Sequence, residues 1–340
     1  MEVRPVDPSS DEELAAWTAV LRASDKDLWP DLDGFALSDI RAFARYRSQS
    51  KRFDLLAARQ PGGPILGVGM MELPLRDNVR SADITVAVHP AHRRRGVGTA
   101  LVEGMAAHGR AHGRAVLNAI VDVPLKRAAD HPSLSFAPNV GFEAMLAGNT
   151  RHLSVPIAGA RMDELRAEVG RVRAADAYRV VTFEAPWPAN YLQDQCTLFQ
   201  CMSTDEPHGD QSHEAEVWDG ARVRENDALR AARGARFLIA VAQHIASGRL
   251  VGCTELSIGA EAPWQAWQML TVVQPEHRGH HLGLAVKLAN LDALARHASH
   301  VRLIVTGNAV VNAPMISVND MMGFEVAGEG KFWQKHSEIA

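Results

Sequence analysis

Apolar residues recur along this chain with two periods, and the periods alternate in an order that is used twice. From Ser10 to Arg22 the apolar positions follow a helical spacing, with Ser and Asp ahead of the first of them. A second helix is expected near Ser38 to Arg47. The alternating or continuous apolar runs Phe53–Ala58, Ile65–Leu73 and Ala82–Val88 predict three strands, separated by Gly/Pro and Asp/Asn turns. A helix over Gly98–His112, a strand over Ala115–Val121 and a short helix over Ser133–Asn139 follow. Strands over Glu143–Ala147 and Thr150–Val155 end the first set, which Glu2–Val6 opens as a short strand.

The second set repeats that order. Tyr178–Phe183 reads as a strand, and Tyr191–Met202 and Ala221–Ala232 as helices. Strands are expected over Arg236–Ala242, Leu250–Ile258 and Trp267–Val273, a helix over Leu282–His297 and a strand over Val301–Thr306. A helix near Pro314–Met322 and a strand over Lys331–Lys335 close the copy.

Short sequences repeat with the pattern. Val68-Gly69-Met70-Met71-Glu72-Leu73 recurs as Val251-Gly252-Cys253-Thr254-Glu255-Leu256, and Val88-His89-Pro90-Ala91-His92-Arg93 as Val273-Gln274-Pro275-Glu276-His277-Arg278. Gly98 matches Gly283, and Gly141-Phe142 matches Gly323-Phe324. The order is kept and the spacing nearly so. Two copies of one domain are expected, 1–158 and 177–340, joined by a charged connecting helix within 159–176. The segment Asp205–Asp210 is a loop without a clear counterpart in the first copy.

At 340 residues with 46% apolar composition, each copy can bury its own core. A net charge of −4 shows no basic excess, which argues against a nucleic-acid partner. Cys196, Cys201 and Cys253 have no disulfide spacing, which favours a reducing compartment. Residues 1–14 carry no apolar signal region, and no run approaches the roughly 20 apolar residues of a membrane span. A cytoplasmic protein without membrane attachment, monomeric or homodimeric, is expected.

The segment Val86-Ala87-Val88-His89-Pro90-Ala91-His92-Arg93-Arg94-Arg95-Gly96-Val97-Gly98-Thr99 carries the chemistry. A strand runs into a basic, glycine-containing loop that opens a helix. The first helical turn has unpaired N–H groups and the positive end of the macrodipole, so it collects an anion such as a pyrophosphate. Gly96 and Gly98 let the backbone approach closely, and Arg93, Arg94 and Arg95 add charge. No Gly-Lys-Ser/Thr follows, so this is not a P-loop, and two glycines do not make the dinucleotide fingerprint.

Arg93-x-x-Gly96-x-Gly98 resembles the pyrophosphate loop of the GNAT superfamily of acyl-CoA-dependent acyltransferases. The resemblance implies an α+β fold: two tandem GNAT domains, each a mixed, mostly antiparallel sheet flanked by helices, as in the mycothiol synthase type. It implies acetyl-CoA, or another acyl-CoA, as co-substrate. Val86, Ala87 and Val88 would face the pantetheine arm, and Arg93, Arg94, Arg95, Gly96, Val97, Gly98 and Thr99 would hold the pyrophosphate. In the second copy the corresponding residues are Val273, Arg278, Gly279, His281 and Gly283, with His281 where the family has its first glycine. Asn312, seven residues before Asn319, matches an Asn that contacts the CoA arm, whereas the first copy has Asp130 there. The three arginines favour the first copy as the better CoA site.

Catalytic groups are less legible. The family's usual Tyr acid aligns with Ala137 and Asn319, and its common base with Ala82 and Trp267. Glu72, Glu255 and Asp83 are the candidates that remain, although Asp83 should face the opposite side of its strand. Transfer by positioning alone is also open. His108 and His112 have a metal-ligand spacing but no evident third ligand, and Trp264 and Trp267 are candidate channel residues. The expected reaction is acetyl transfer to an amine of a small molecule, such as an amino sugar, an amino-acid derivative or a natural product. Transfer of a longer acyl group, or CoA sensing without turnover, are the alternatives.

Overall fold

The computed structural model describes residues 1–128, 131–172 and 177–337. The chain forms two compact units that are not contiguous in sequence. The first comprises Met1–Asn149, His208–Glu214 and Gly328–Ala340, and the second Thr150–Pro207 and Ala215–Ala327.

In the first unit the order is β1 (Glu2–Pro5), α1 (Asp11–Leu28), α2 (Leu37–Arg45), β2 (Lys51–Arg59), β3 (Ile65–Pro74), β4 (Ser81–Val88), α3 (Val97–Ala111), β5 (Val116–Pro124) and α4 (Pro132–Asn139). Helix α1 starts where the sequence places it, because Ser10 caps it by accepting from the Glu13 N–H. It runs on to Leu28, past the expected end at Arg22. Strands β1, β2, β3 and β4 pair antiparallel in turn, and β4 then pairs parallel with β5. The core joins Leu56, Met71, Leu73, Ala82 and Ile84 of the sheet to Val102, Met105 and Ala106 of α3.

The two strands expected over Glu143–Ala147 and Thr150–Val155 are one continuous strand, β6 (Glu143–Ser154). In the second unit α5 (Gly159–Val172), β7 (Tyr178–Glu184), α6 (Leu192–Asp205), α7 (Gly220–Arg233), β8 (Arg236–His244), β9 (Leu250–Ile258) and β10 (Gln265–Val273) follow. Then come α8 (Leu282–His297), β11 (Leu303–Ala309), α9 (Ala313–Met322) and β12 (Glu325–His336). Strands β7, β8, β9 and β10 pair antiparallel in turn, and β10 pairs parallel with β11. Successive β8 residues serve opposite faces: Leu238 packs with α5 and α8, while Phe237, Ile239 and Val241 pack with α6. Helix α5, expected as a solvated connector, buries Met162, Leu165 and Val169 in that core.

The closing strand departs from expectation. Nine residues of β12, from Gly328 to His336, pair antiparallel with β5 from Pro124 back to Val116, inside the first unit. The hydrophobic period of Lys331–Lys335 announces a strand but not its partner, because pairing is non-local. The loop His208–Glu214 also belongs to the first unit, where Asn78 and Glu214 exchange three hydrogen bonds and Ser212 donates to Gln334. No helix among the described residues is long and apolar enough to cross a membrane.

Candidate functional site

Each unit contains a pair of parallel strands that separate. In the first, β4 and β5 pair only from Ser81 with Val116 to Ile84 with Ala119, although both strands continue. The other edge of β4 stays paired with β3 as far as Val88 with Gly67. Thr85, Val86, Ala87 and Val88 therefore turn one backbone edge to an opening. In the second unit, β10 and β11 pair only from Gln265 with Leu303 to Trp267 with Val305. There β10 also bulges against β9 between Gln268 and Thr271, which re-aims its backbone at the point of separation. The Gln268 amide fills the bulge by donating to the carbonyls of Glu255 and Leu270.

Both openings end in the same turn. Arg94 and Gly96 have φ of 60° and 78°. Gly279 and His281, at the matching steps, have φ of 80° and 52°. The two loops thus share left-handed residues at alternate positions and differ only in which of them is glycine. Such alternation turns successive N–H groups into one concavity, here at the N-terminus of α3 or α8. The residues fit a pyrophosphate in both units, and His281 does not spoil the turn. Gly98 is helical, so its lack of a side chain is a matter of space: a Cβ would sit 3.0 Å from the Phe136 ring. At Gly283 nothing lies within 4 Å.

The arginines divide into two roles. Arg93 donates through Nε to the Val88 carbonyl at 3.2 Å and through Nη1 to Asp27 at 2.6 Å. Arg278 repeats this, with Nε on the Val273 carbonyl at 3.0 Å and Nη2 on Asp205. These side chains brace the end of the strand, with Arg93 27% exposed and Arg278 50%. Arg94 and Arg95 are exposed, as are Gly96 and Thr99, while Val97 is buried beneath the turn. Asn312 caps α9 by accepting from the Met315 N–H at 3.3 Å. Asp130 lies outside the described residues.

Of the candidate carboxylates, Glu72 and Asp83 lie opposite each other on β3 and β4, whereas Glu255 belongs to the second unit. Glu72 pairs with Lys51 at 2.8 Å, and both are about one-third exposed. Asp83 accepts from Asn118 at 2.8 Å on the solvent side of β4, away from Ala82 and Ile84. Glu255 is fully buried, bound by Arg230 through both oxygens and by the Trp187 indole. It is a structural ion pair, which corrects its assignment as a base. The two glutamates are not equivalent either. Gly67 and Gly252 both lie opposite the last residue of the open strand, Val88 and Val273, and both directly follow an irregularity in the adjacent ladder. In that register Glu255 corresponds to Met70, and Glu72 to Ser257. The recurring Val-Gly sequence is two residues out of step with the fold.

Other groups were hidden in the sequence. Asp54 of β2 is the third group beside His108 and His112, bonded to His108 Nε2 at 2.7 Å. Arg52 occupies the same carboxylate oxygen at 2.8 Å. Lys287 of α8 is fully buried, and its Nζ donates to Asn319 at 2.7 Å. Its position among Leu284, Val286 and Leu288 was the available signal. Trp267 and Met269, beside the second opening, are 39% and 47% exposed.

Comparison with known proteins agrees with this geometry. The profile of the acetyltransferase (GNAT) family matches residues 17–132. A tandem GNAT protein from the clavulanic acid biosynthesis pathway, solved without acetyl-CoA, is 31% identical, with a TM-score of 0.81 over 100% of this chain and 99% of that one. A GCN5-related N-acetyltransferase from Sphaerobacter thermophilus shares the fold at 13% identity, with a TM-score of 0.62 over 98% of this chain and 95% of that one. No curated protein matches the sequence.

Proposed function

The chain belongs to the GNAT family of acetyltransferases, and from that premise we propose that it moves the acetyl group of acetyl-CoA to an amine on a small molecule. The observation that carries the reading is the separated parallel strand pair ending in a turn of alternating left-handed residues. In the first unit the N–H groups from Arg94 to Thr99 and the exposed Arg94 and Arg95 side chains hold the pyrophosphate. The free edge of Val86, Ala87 and Val88 receives the pantetheine amides.

The acetyl thioester supplies an activated carbonyl. The protein's part is to fix that carbonyl and to offer backbone N–H groups where negative charge develops on its oxygen. The ion pairs that engage Glu72 and Glu255 favour transfer by positioning, with the acceptor amine delivered neutral. Arg93 acts through the backbone by holding Val88. The apolar Trp267 and Met269 suit an acceptor, or an acyl group, with a hydrocarbon face.

Calorimetry of acetyl-CoA with the whole protein and with Gly98→Glu, Gly283→Glu and the double variant tests the reading. A carboxylate in either first turn would repel the pyrophosphate, so each single variant should lose one site and the double variant all binding. Thiol release with a panel of primary amines then reads turnover. Unchanged binding by the double variant would reject the site.

A further inference from the structure

Lys287 has no reason of packing to be where it is. It is fully buried on α8, and burial pushes its ammonium down to about 7. A buried ammonium is costly unless it is hydrogen-bonded. Its Nζ donates to Asn319 Oδ1 at 2.7 Å and lies 5.3 Å from the centre of the Phe324 ring. Asn319, itself fully buried, donates through Nδ2 to Asn308 Oδ1 at 2.6 Å. Asn308 is half-buried on the stretch of β11 beyond its last pair with β10. The three side chains thus form one file from the core to the opening between the strands.

The direction of the file is fixed by its first member. An ammonium only donates, so Asn319 must turn its oxygen to Lys287 and its nitrogen outward. Asn308 must then do the same. A donor amide, polarised by a buried cation, stands at the end of the file. The first unit has none of this: the corresponding residues are Val102, Ala137 and Val121, which pack as apolar neighbours. Three positions linked in file are polar in the second unit and apolar in the first.

We propose that the second unit is an acyl-CoA thioester site in its own right, and that Lys287, acting through Asn319 and Asn308, is the positioning residue that stabilises its departing thiolate. The proposal rests on the acyl-CoA reading above. When the C–S bond breaks, its electron pair leaves on sulfur. The acceptor amine's proton goes to solvent, and the file contributes hydrogen bonds to the sulfur without giving up a proton. Asn319 stands where the family resemblance places a Tyr acid, so the file serves the leaving group by a different chemistry.

A thiolate site must prefer free CoA to its thioester, and this can be read without knowing the acceptor. Calorimetry at neutral pH would use the full-length Gly98→Glu protein, in which the second unit alone reports. Free CoA, whose thiol releases its proton to solvent on binding as the thiolate, is expected to bind about tenfold more tightly than acetyl-CoA, as a charge-assisted hydrogen bond allows. Lys287→Met should bring that ratio near one while leaving acetyl-CoA affinity unchanged. Asn308→Asp, which replaces the terminal donors by acceptors without touching the core, should do the same, and it decides alone if Lys287→Met does not fold. A ratio near one in the Gly98→Glu protein, or a ratio that survives both substitutions, would overturn the role of the file. Absence of all binding in Gly98→Glu would overturn the second site and leave the first-unit reading standing.

Discussion

Gly96 and His281 hold the same step of the same turn, with φ of 78° and 52°. Glycine adopts this conformation freely, whereas a side chain costs about 1–2 kcal/mol. Histidine gains little in return, since its Nδ1 is buried without a hydrogen-bond partner. His281→Gly should therefore raise stability by about 1 kcal/mol, and Gly96→His should lower it similarly. Urea denaturation measures both, and equal stabilities would contradict the shared turn.

The brace formed by Arg93 predicts a separation of effects. Arg93→Lys cannot span both Val88 and Asp27, so it should cost about 1 kcal/mol of stability and weaken acetyl-CoA binding by distorting the loop. Arg94→Ala should weaken binding with stability unchanged. Calorimetry and denaturation of the same samples compare the two, and matching profiles would remove the distinction.

Glu255 and Glu72 should respond differently to loss of charge. Glu255→Gln leaves the buried Arg230 guanidinium with only Asp227, at 3.7 Å, and should cost about 3 kcal/mol. Glu72→Gln breaks a solvent-screened pair and should stay within about 0.5 kcal/mol. Thermal unfolding distinguishes them.

Lys287 predicts a pH dependence of stability. Its folded-state value of about 7 lies below the ordinary lysine value of 10.5, so between those limits the unfolded chain holds more protons. Its burial penalty is greatest at and below neutrality and fades as pH rises towards 10.5. Relative to Lys287→Met, the unaltered protein should gain stability between neutral and alkaline pH. Parallel stability curves for the two proteins would show that the amine is not buried.

The pairing of β12 with β5 predicts the result of truncation. A chain ending at Ala327 lacks every residue that covers that edge of β5. Its first unit should be cut rapidly by protease while Thr150–Pro207 and Ala215–Ala327 remain protected. Equal protection of both units would refute the exchange.

Local signals in the sequence located the turns and most elements. Arg93, Gly96 and Gly98 lie close together in the chain, so their spacing reports the loop directly. The relation of Glu72 to Glu255 was misread because a shift of two residues preserves the face of a strand, and the Val-Gly step matched in the wrong register. Asp54 beside His108, and Asn308 beside Asn319, come together only when separate elements pack. The partner of β12 was illegible for the same reason: a strand's period encodes its faces and not its neighbour.

The strand exchange also sets an order in time. Chains usually fold from the N-terminal domain onward as they leave the ribosome. Here the N-terminal unit requires residues 328–336, which are synthesised after the whole of the second unit. The nascent chain must carry β5 with an open edge, exposed to pairing with other chains, until residues 328–336 have emerged. The second unit, whose residues end at Ala327, can form before the first is complete. For this protein, the acyltransferase unit that begins first is the one completed second.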